Sequence, residues 1–344
     1  MSLNYSSTSA LLGVIDGLDR PTQFLLDVYF PNEQRFDTEE VFFDKLDRAR
    51  RLAPFVSPMV AGKPMRSRGY ATTSFAPPYV KPKHIVDPSK AMKRKAGERL
   101  GGELSPEQRF EMAVVQNLQD EDDQIARVEE WMASEILLTG SVTCAGEDYP
   151  TQVVDFGRDA ALTIALTSTA RWGETGVSPL ASLRSWATTV ASKSGANPRL
   201  VTLDPLAAEL FQEDAEVREI LDNRRQDGGV LQLAPLVAGA QGEEAVRIGV
   251  IGQFEIWSYQ QLYTDAAGAE QKMMPDYSFI LGAPTLAEGV RTYGAIKDTK
   301  ALRALPRFPK YWEENDPSVG FTMTQSAPLP VLGRANATMG GTVR

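Results

Sequence analysis

The chain has 344 residues, 42% of them hydrophobic and 24% charged, with a formal net charge of -9. That length and balance support a packed core of one large or two smaller domains and argue against wholesale disorder. The acidic surplus argues against a surface built to grip nucleic-acid backbone. One cysteine, Cys144, cannot form an internal disulfide, and one histidine, His84, leaves too few ligands for a histidine-rich or zinc-cluster site.

Residues 1–50 read as an arm. The first twenty have a short apolar run without a preceding basic region, which does not read as a signal peptide. No window approaches eighteen uninterrupted apolar residues, so no membrane span is expected. Phe24, Tyr29, Phe30, Phe36, Phe42 and Phe43 then crowd into a charged stretch whose spacing fits neither a long helix nor a clean strand. Such aromatics need a surface to cover, either a neighbouring chain's or the core of their own.

Residues 51–90 contain prolines 54, 58, 64, 77, 78, 82 and 88, which exclude a continuous helix or a central strand. The expectation is a long, stiffened hairpin projecting from the body, with a turn near Arg68-Gly69-Tyr70. A basic, glycine-containing linker occupies 90–104. Ser105, Pro106 and Gln108 then form a capping-box signature, and apolar residues recur from Phe110 to Ile136, with Gly140 as a stop. The helix predicted over 106–139 would span about 51 Å, as a strut rather than a core helix. Its "DEDD" run, 120–123, cannot gather more than two carboxylates on one face, so an acidic patch facing solvent or a partner is expected rather than a metal cluster.

Beyond residue 150 the elements shorten. Ser178-Pro179 opens a helix that Gly195 closes, "PRLVTL" is a strand, and Asp204-Pro205 caps a helix expected to run to about Arg225. Strands follow in "AVRIGVIGQFEIWSYQQLY" and "YSFILG". No nucleophile elbow, phosphate loop or dinucleotide fingerprint occurs, and nothing around Cys144 or His84 resembles a nucleophile turn. Catalytic, cofactor and metal residues are therefore assigned to none.

Residues 56–88, "VSPMVAGKPMRSRGYATTSFAPPYVKPKHIVDP", resemble the corresponding stretch of the major capsid proteins of lambda-like tailed phages. "RFPKYWEENDPSVGFTMTQSAPLPVL" (307–332) resembles the closing segment of the same family. "DEDDQIARVEEWMASEILLTG", "VTLDP" and "GVRTYGAI" fall between them in the family's order. The resemblance covers roughly 24–332 and leaves out the extreme termini.

It implies an α+β tailed-phage major capsid fold of the HK-ninety-seven type. The implied parts are an N-terminal arm (1–50), an extended loop (51–90), linker, spine helix and peripheral-domain strands (91–180), an axial domain (181–300), and a return to the peripheral domain with a C-terminal tail (301–344). The implied role is structural: hexamers and pentamers of this chain forming an icosahedral head around double-stranded DNA, which it encloses without specific binding. Partners would be copies of itself, a decoration protein, a scaffolding protein and a portal, with no membrane. The place of work would be the virion, after synthesis in the bacterial cytoplasm. Candidate inter-subunit contacts are Arg66, Arg68, Tyr79, Lys81, Lys83, His84, Phe30 and Phe36. Two alternatives are a self-crosslinking capsid joining a lysine (Lys63, Lys81 or Lys83) to an asparagine, and an unrelated α+β enzyme.

Overall fold

The computed structural model describes residues 8–18, 22–38, 40–46, 70–93, 104–146, 149–226, 244–265, 267–301, 303–316 and 318–344. Helices α1 (Thr8–Ile15) and α2 (Phe24–Tyr29) precede strands β1 (Asn32–Arg35) and β2 (Val41–Leu46). Strands β3 (Tyr70–Phe75) and β4 (Lys83–Val86) lead to α3 (Pro88–Met92) and the 34-residue helix α4 (Pro106–Thr139). Next come β5 (Ser141–Gly146), β6 (Tyr149–Asp155), β7 (Thr163–Ala165), α5 (Pro179–Ser194), β8 (Leu200–Leu203), α6 (Pro205–Glu213) and α7 (Ala215–Gln226). After these lie β9 (Ala245–Ile251), β10 (Phe254–Tyr259), β11 (Leu262–Thr264), β12 (Glu270–Lys272), β13 (Ser278–Gly282), α8 (Pro284–Ala287) and β14 (Gly289–Tyr293). The last strands are β15 (Phe308–Asn315), β16 (Ser318–Gln325), β17 (Pro328–Leu332) and β18 (Thr338–Thr342).

Helix α4 begins and ends where its sequence dictates. Ser105 Oγ accepts from the Gln108 amide at 3.2 Å, and Gln108 Oε1 accepts from the Ser105 amide at 2.9 Å. Gly140 closes the helix in the left-handed region, at φ +84°. The Arg158 guanidinium covers the last carbonyls, donating to Leu137 O at 2.7 Å and to Leu138 O. The helix is nonetheless no mere strut. Val114 and Leu118 pack on Leu11, Ile15 and Val86, while Met132, Ala133, Ile136 and Leu137 lie in the main core. Its apolar stripe is buried along most of its length because α1, β4, β16, β17 and β18 all lie against it.

A six-stranded sheet, ordered β7-β18-β13-β8-β10-β9, separates two cores. Successive side chains of a strand point to opposite faces, so the central strands β8, β10 and β13 feed both. Ile280 and Trp257 join the main core with Phe24 and Tyr29, while Phe279, Leu281 and Ile256 join a second core with Trp172, Trp186 and Phe211. This two-sided burial explains why "SFILG" is buried throughout and carries the apolar run Phe279-Ile280-Leu281. The helix expected from Asp204 to about Arg225 is broken at Asp214, which is extended (ψ 135°) and accepts from the Val217 amide at 3.2 Å, capping α7.

Other expectations change as well. The strand Tyr70–Phe75 does not turn back on the residues just before it but pairs antiparallel with β2, Val41 opposite Phe75 and Leu46 opposite Tyr70. The hairpin base therefore starts inside the stretch read as an arm. The chain from Tyr79 to Val86 does not project: β4 adds to a sheet ordered β15-β16-β4, and Val80 bridges to Ser326. Of the two surfaces left open for the arm's aromatics, Phe24, Tyr29 and Phe30 take the chain's own core: β1 runs parallel to β14, and Leu25, Leu26 and Phe30 are fully buried.

The stretch read as a C-terminal tail supplies an interior strand, β18, between β7 and β13. A Cβ on Gly341, at φ +154°, would lie 1.7 Å from the Ile164 carbonyl oxygen. Gly341→Ala should therefore cost on the order of 4 kcal/mol or prevent folding, since backbone and not a flexible side chain must yield. Gly268→Ala, at φ +83° in open space, should cost only about 1 to 2 kcal/mol. Urea denaturation of the two variants checks the contrast.

Candidate functional site

Helix α4 carries four carboxylates on its buried side: Glu121, Asp122, Glu129 and Glu130, none more than 3% exposed. Each ties the helix to a segment distant in sequence. Arg307, 5% exposed, inserts between two of them; Nη1 and Nη2 fork onto Glu129 at 2.7 and 3.2 Å, and Nε donates to Asp122. Gln23 Nε2 donates to the same Glu129 at 3.1 Å. Burial alone would weaken the guanidinium's hold on its proton, but Glu129 and Asp122 outweigh that and hold its pKa above the ordinary value.

Glu121, one residue before Asp122, faces a different side of the helix. Its Oε2 accepts from Thr324 Oγ1 at 2.7 Å, and its Oε1 lies 3.3 Å from His84 Nδ1. Burial pushes its pKa up, with Thr324 and His84 opposing. Glu130 accepts the Leu25 and Leu26 amides at 2.8 and 3.0 Å and the Tyr259 hydroxyl at 2.8 Å. Burial dominates there too and raises it to about 7.

The structure gathers four of the sequence-derived contact residues into one run along β16. Tyr79 donates to Gln325 Oε1 at 2.7 Å and accepts from the Lys297 amide at 3.2 Å. Lys81 is exposed, its ammonium 4.7 Å from the centre of the Tyr79 ring. Lys83 lies 3.9 Å from the Phe321 ring, which stacks on Trp312. His84 meets Glu121 of α4 in its own chain, so its imidazole braces β4 against α4.

Phe30 is not available to a neighbour. It is fully buried in its own core, because α2 turns its aromatics toward α4 and the sheet. Phe36 is half-buried against the same core, its amide donating to Tyr293 O at 2.9 Å. Arg66 and Arg68 lie outside the described residues.

The charged cluster was missed in the sequence, where "DEDD" read as a patch facing solvent or a partner. Two of its four acids, Glu121 and Asp122, are instead fully buried. The signal was present: Asp122 stands four residues after Leu118, and Glu129 four after Ile125, so both continue the apolar stripe. Acids on an apolar stripe call for a cation elsewhere, and nothing local marked Arg307 as that cation.

A family model described as phage major capsid protein E matches residues 7–343. The chain belongs to this family. It is 34% identical over 335 residues to the major capsid protein of Escherichia phage N15 and 33% identical over 334 residues to that of Escherichia phage lambda, each covering 95% of both chains. A solved chain described as a prophage capsid protein of Escherichia coli CFT073 superposes with a TM-score of 0.76 at 23% identity, covering 100% of both chains. The fold is thus the α+β fold of tailed-phage capsid proteins. As a member of this family the chain is a structural component of the virion that associates with itself, and not an enzyme.

Removing Arg307 strands two buried carboxylates. Arg307→Met should cost about 3 to 5 kcal/mol in urea unfolding. Adding Asp122→Asn and Glu129→Gln should recover most of that, since the penalty lies in the uncompensated charges.

Proposed function

We propose that copies of this chain associate as hexamers and pentamers into an icosahedral head that encloses double-stranded DNA. The observation that carries this reading is the family match across 7–343, nearly the whole chain. Charge supports it. Residues 47–69, between the paired strands β2 and β3, hold six cations and one acid, a net +5 in a chain of net -9, so the remainder carries -14. A basic loop on an acidic body suits docking of one copy on the next, with Arg66 and Arg68 forking onto a neighbour's carboxylates. Exposed Lys81 and half-buried Phe36 are further contact candidates, while Tyr79, Lys83 and His84 would act by stiffening the base from which the loop projects. The acidic remainder suits a wall that must not hold its DNA.

In this reading the extended loop is the stretch bounded by β2 and β3, and α4 is the spine. The second core, around Trp172, Trp186 and Phe211, belongs to the part nearest the capsomere axis. A decoration protein, a scaffolding protein and a portal complete the assembly as separate chains.

Leu46 and Tyr70 are opposite partners in the hairpin, so residues 47–69 can be replaced by Asn-Gly, a two-residue turn suited to antiparallel strands. The shortened chain should melt within a few degrees of the full one yet form no closed shells by electron microscopy. Closed shells at normal yield would overturn the loop's role. Boiled particles of the full chain should run as a single band near 37.7 kDa on a denaturing gel; a ladder that survives reductant would favour covalent crosslinking.

A further inference from the structure

Glu130 differs from the other buried carboxylates of α4. Arg307 serves Asp122 and Glu129, and His84 faces Glu121, but among the described residues no cation lies within ion-pair distance of Glu130. What it holds is the N-terminal segment, through the consecutive amides of Leu25 and Leu26. The same segment is tied by Gln23 Nε2, which donates to Ala126 O at 2.9 Å and to Glu129. Beneath the carboxylate lies Tyr259, whose hydroxyl is 2.8 Å from Glu130 and 2.9 Å from Gln261 Oε1. Gln261 Nε2 reaches Thr22 O and Glu244 Oε1, both at 3.4 Å.

The charged groups around this point are mostly acids. Asp27 lies on α2, Glu129 is the preceding residue of α4, and Glu244 lies beyond Gln261. Of the cations, Arg291 is taken up by Asp27 and by the Phe30 carbonyl, and Arg307 by Asp122 and Glu129. An ionised Glu130 is therefore a buried anion held by three neutral donors among other negative charges, an arrangement in which desolvation outweighs hydrogen bonding. The neutral acid is satisfied equally well: it can donate to the Tyr259 oxygen while Tyr259 donates to Gln261.

We propose that Glu130 is a proton-controlled latch that holds residues 22–30 against the long helix, tight when the carboxyl is protonated and loosened when it is ionised. With the segment lifted, Glu130 meets water and titrates in the ordinary range near 4.5; with the segment seated it titrates at about 7. The seated state therefore binds the extra proton between those values. Seating is fully favoured below the lower value and weakens as pH rises through the upper one. The two values correspond to an increase in opening on the order of a hundredfold by pH 8. Because β1 and β2 follow α2 directly, loosening the latch frees the chain leading into the hairpin. Its chemistry does not depend on the assembly proposed above and is read on the unassembled chain.

Hydrogen–deuterium exchange by mass spectrometry on the full chain tests this between pH 5.5 and 8.5, after correction for intrinsic exchange rates. Over that window protection of a peptide covering 22–30 should fall about thirtyfold relative to one covering β13, levelling off above a midpoint near 7. In Glu130→Gln, which carries no titrating proton, the ratio should be flat. A flat ratio in the unmodified chain, or an unchanged pH response in Glu130→Gln, overturns the latch. Should Glu130→Gln fail to fold, Tyr259→Phe serves instead. It removes a donor that favours the anion and should shift the midpoint upward; an unmoved midpoint overturns the proposal.

Discussion

Arg307 placed between Asp122 and Glu129 is the contact on which the architecture turns. The two acids are seven residues apart, about two turns of α4, so a single forked cation fixes both the azimuth of the helix and its axial position against the chain entering β15. At this depth the attraction is strong and the desolvation cost is large, so the pair adds less to net stability than to uniqueness of packing. A helix slipped by one turn would bury the same kind of apolar stripe but strand both carboxylates. Glu121 and Glu130 repeat the device on either side, one reaching β4 and β16, the other α2 and β10. The helix is thus keyed at several points to partners far away in the chain.

Those partners explain why the N-terminal and C-terminal thirds cannot be described separately. β1 lies in one sheet with β14 and β17, β4 with β15 and β16, and β18 runs beneath the end of α4. A load applied to the chain entering or leaving the β2–β3 hairpin is passed to strands formed by residues 308–332. For a wall made of repeated copies this is a useful property, because the chain on either side of the β2–β3 pair is anchored in sheets shared with the C-terminal strands.

Where the sequence was legible, the signal was local. Ser105, Pro106, Gln108 and Gly140 mark both ends of α4 because capping is decided within one turn of chain. Ser178 with Gly195 and Asp204 with Pro205 work the same way. The break at Asp214 was equally local but masked, since an aspartate inside a run of helix formers differs little from a surface acid until its side chain is seen capping Val217. The pairing of β3 with β2 was not legible, because strand partners separated by the intervening loop leave no mark within either strand. Nor was the burial of Phe30, whose neighbours lie over a hundred residues away. β18 escaped notice for a physical reason as well: "TMGGT" is poor in strand-forming side chains, and its glycines are there because α4 and β7 approach too closely for a Cβ.

The second core has an optical consequence. Trp172 and Trp186 stack with ring centres 5.9 Å apart and planes within 10°, and Trp186 lies 4.3 Å from Phe279. Two indoles so close and so nearly parallel couple their electronic transitions, giving a paired circular-dichroism signal that separate rings lack. The remaining tryptophans, Trp131, Trp257 and Trp312, lie elsewhere in the chain, none of them in that core. Loss of the coupled signal would therefore mark the melting or reshaping of this one core, even with every other part of the subunit in place, and in an intact particle as readily as in a single chain.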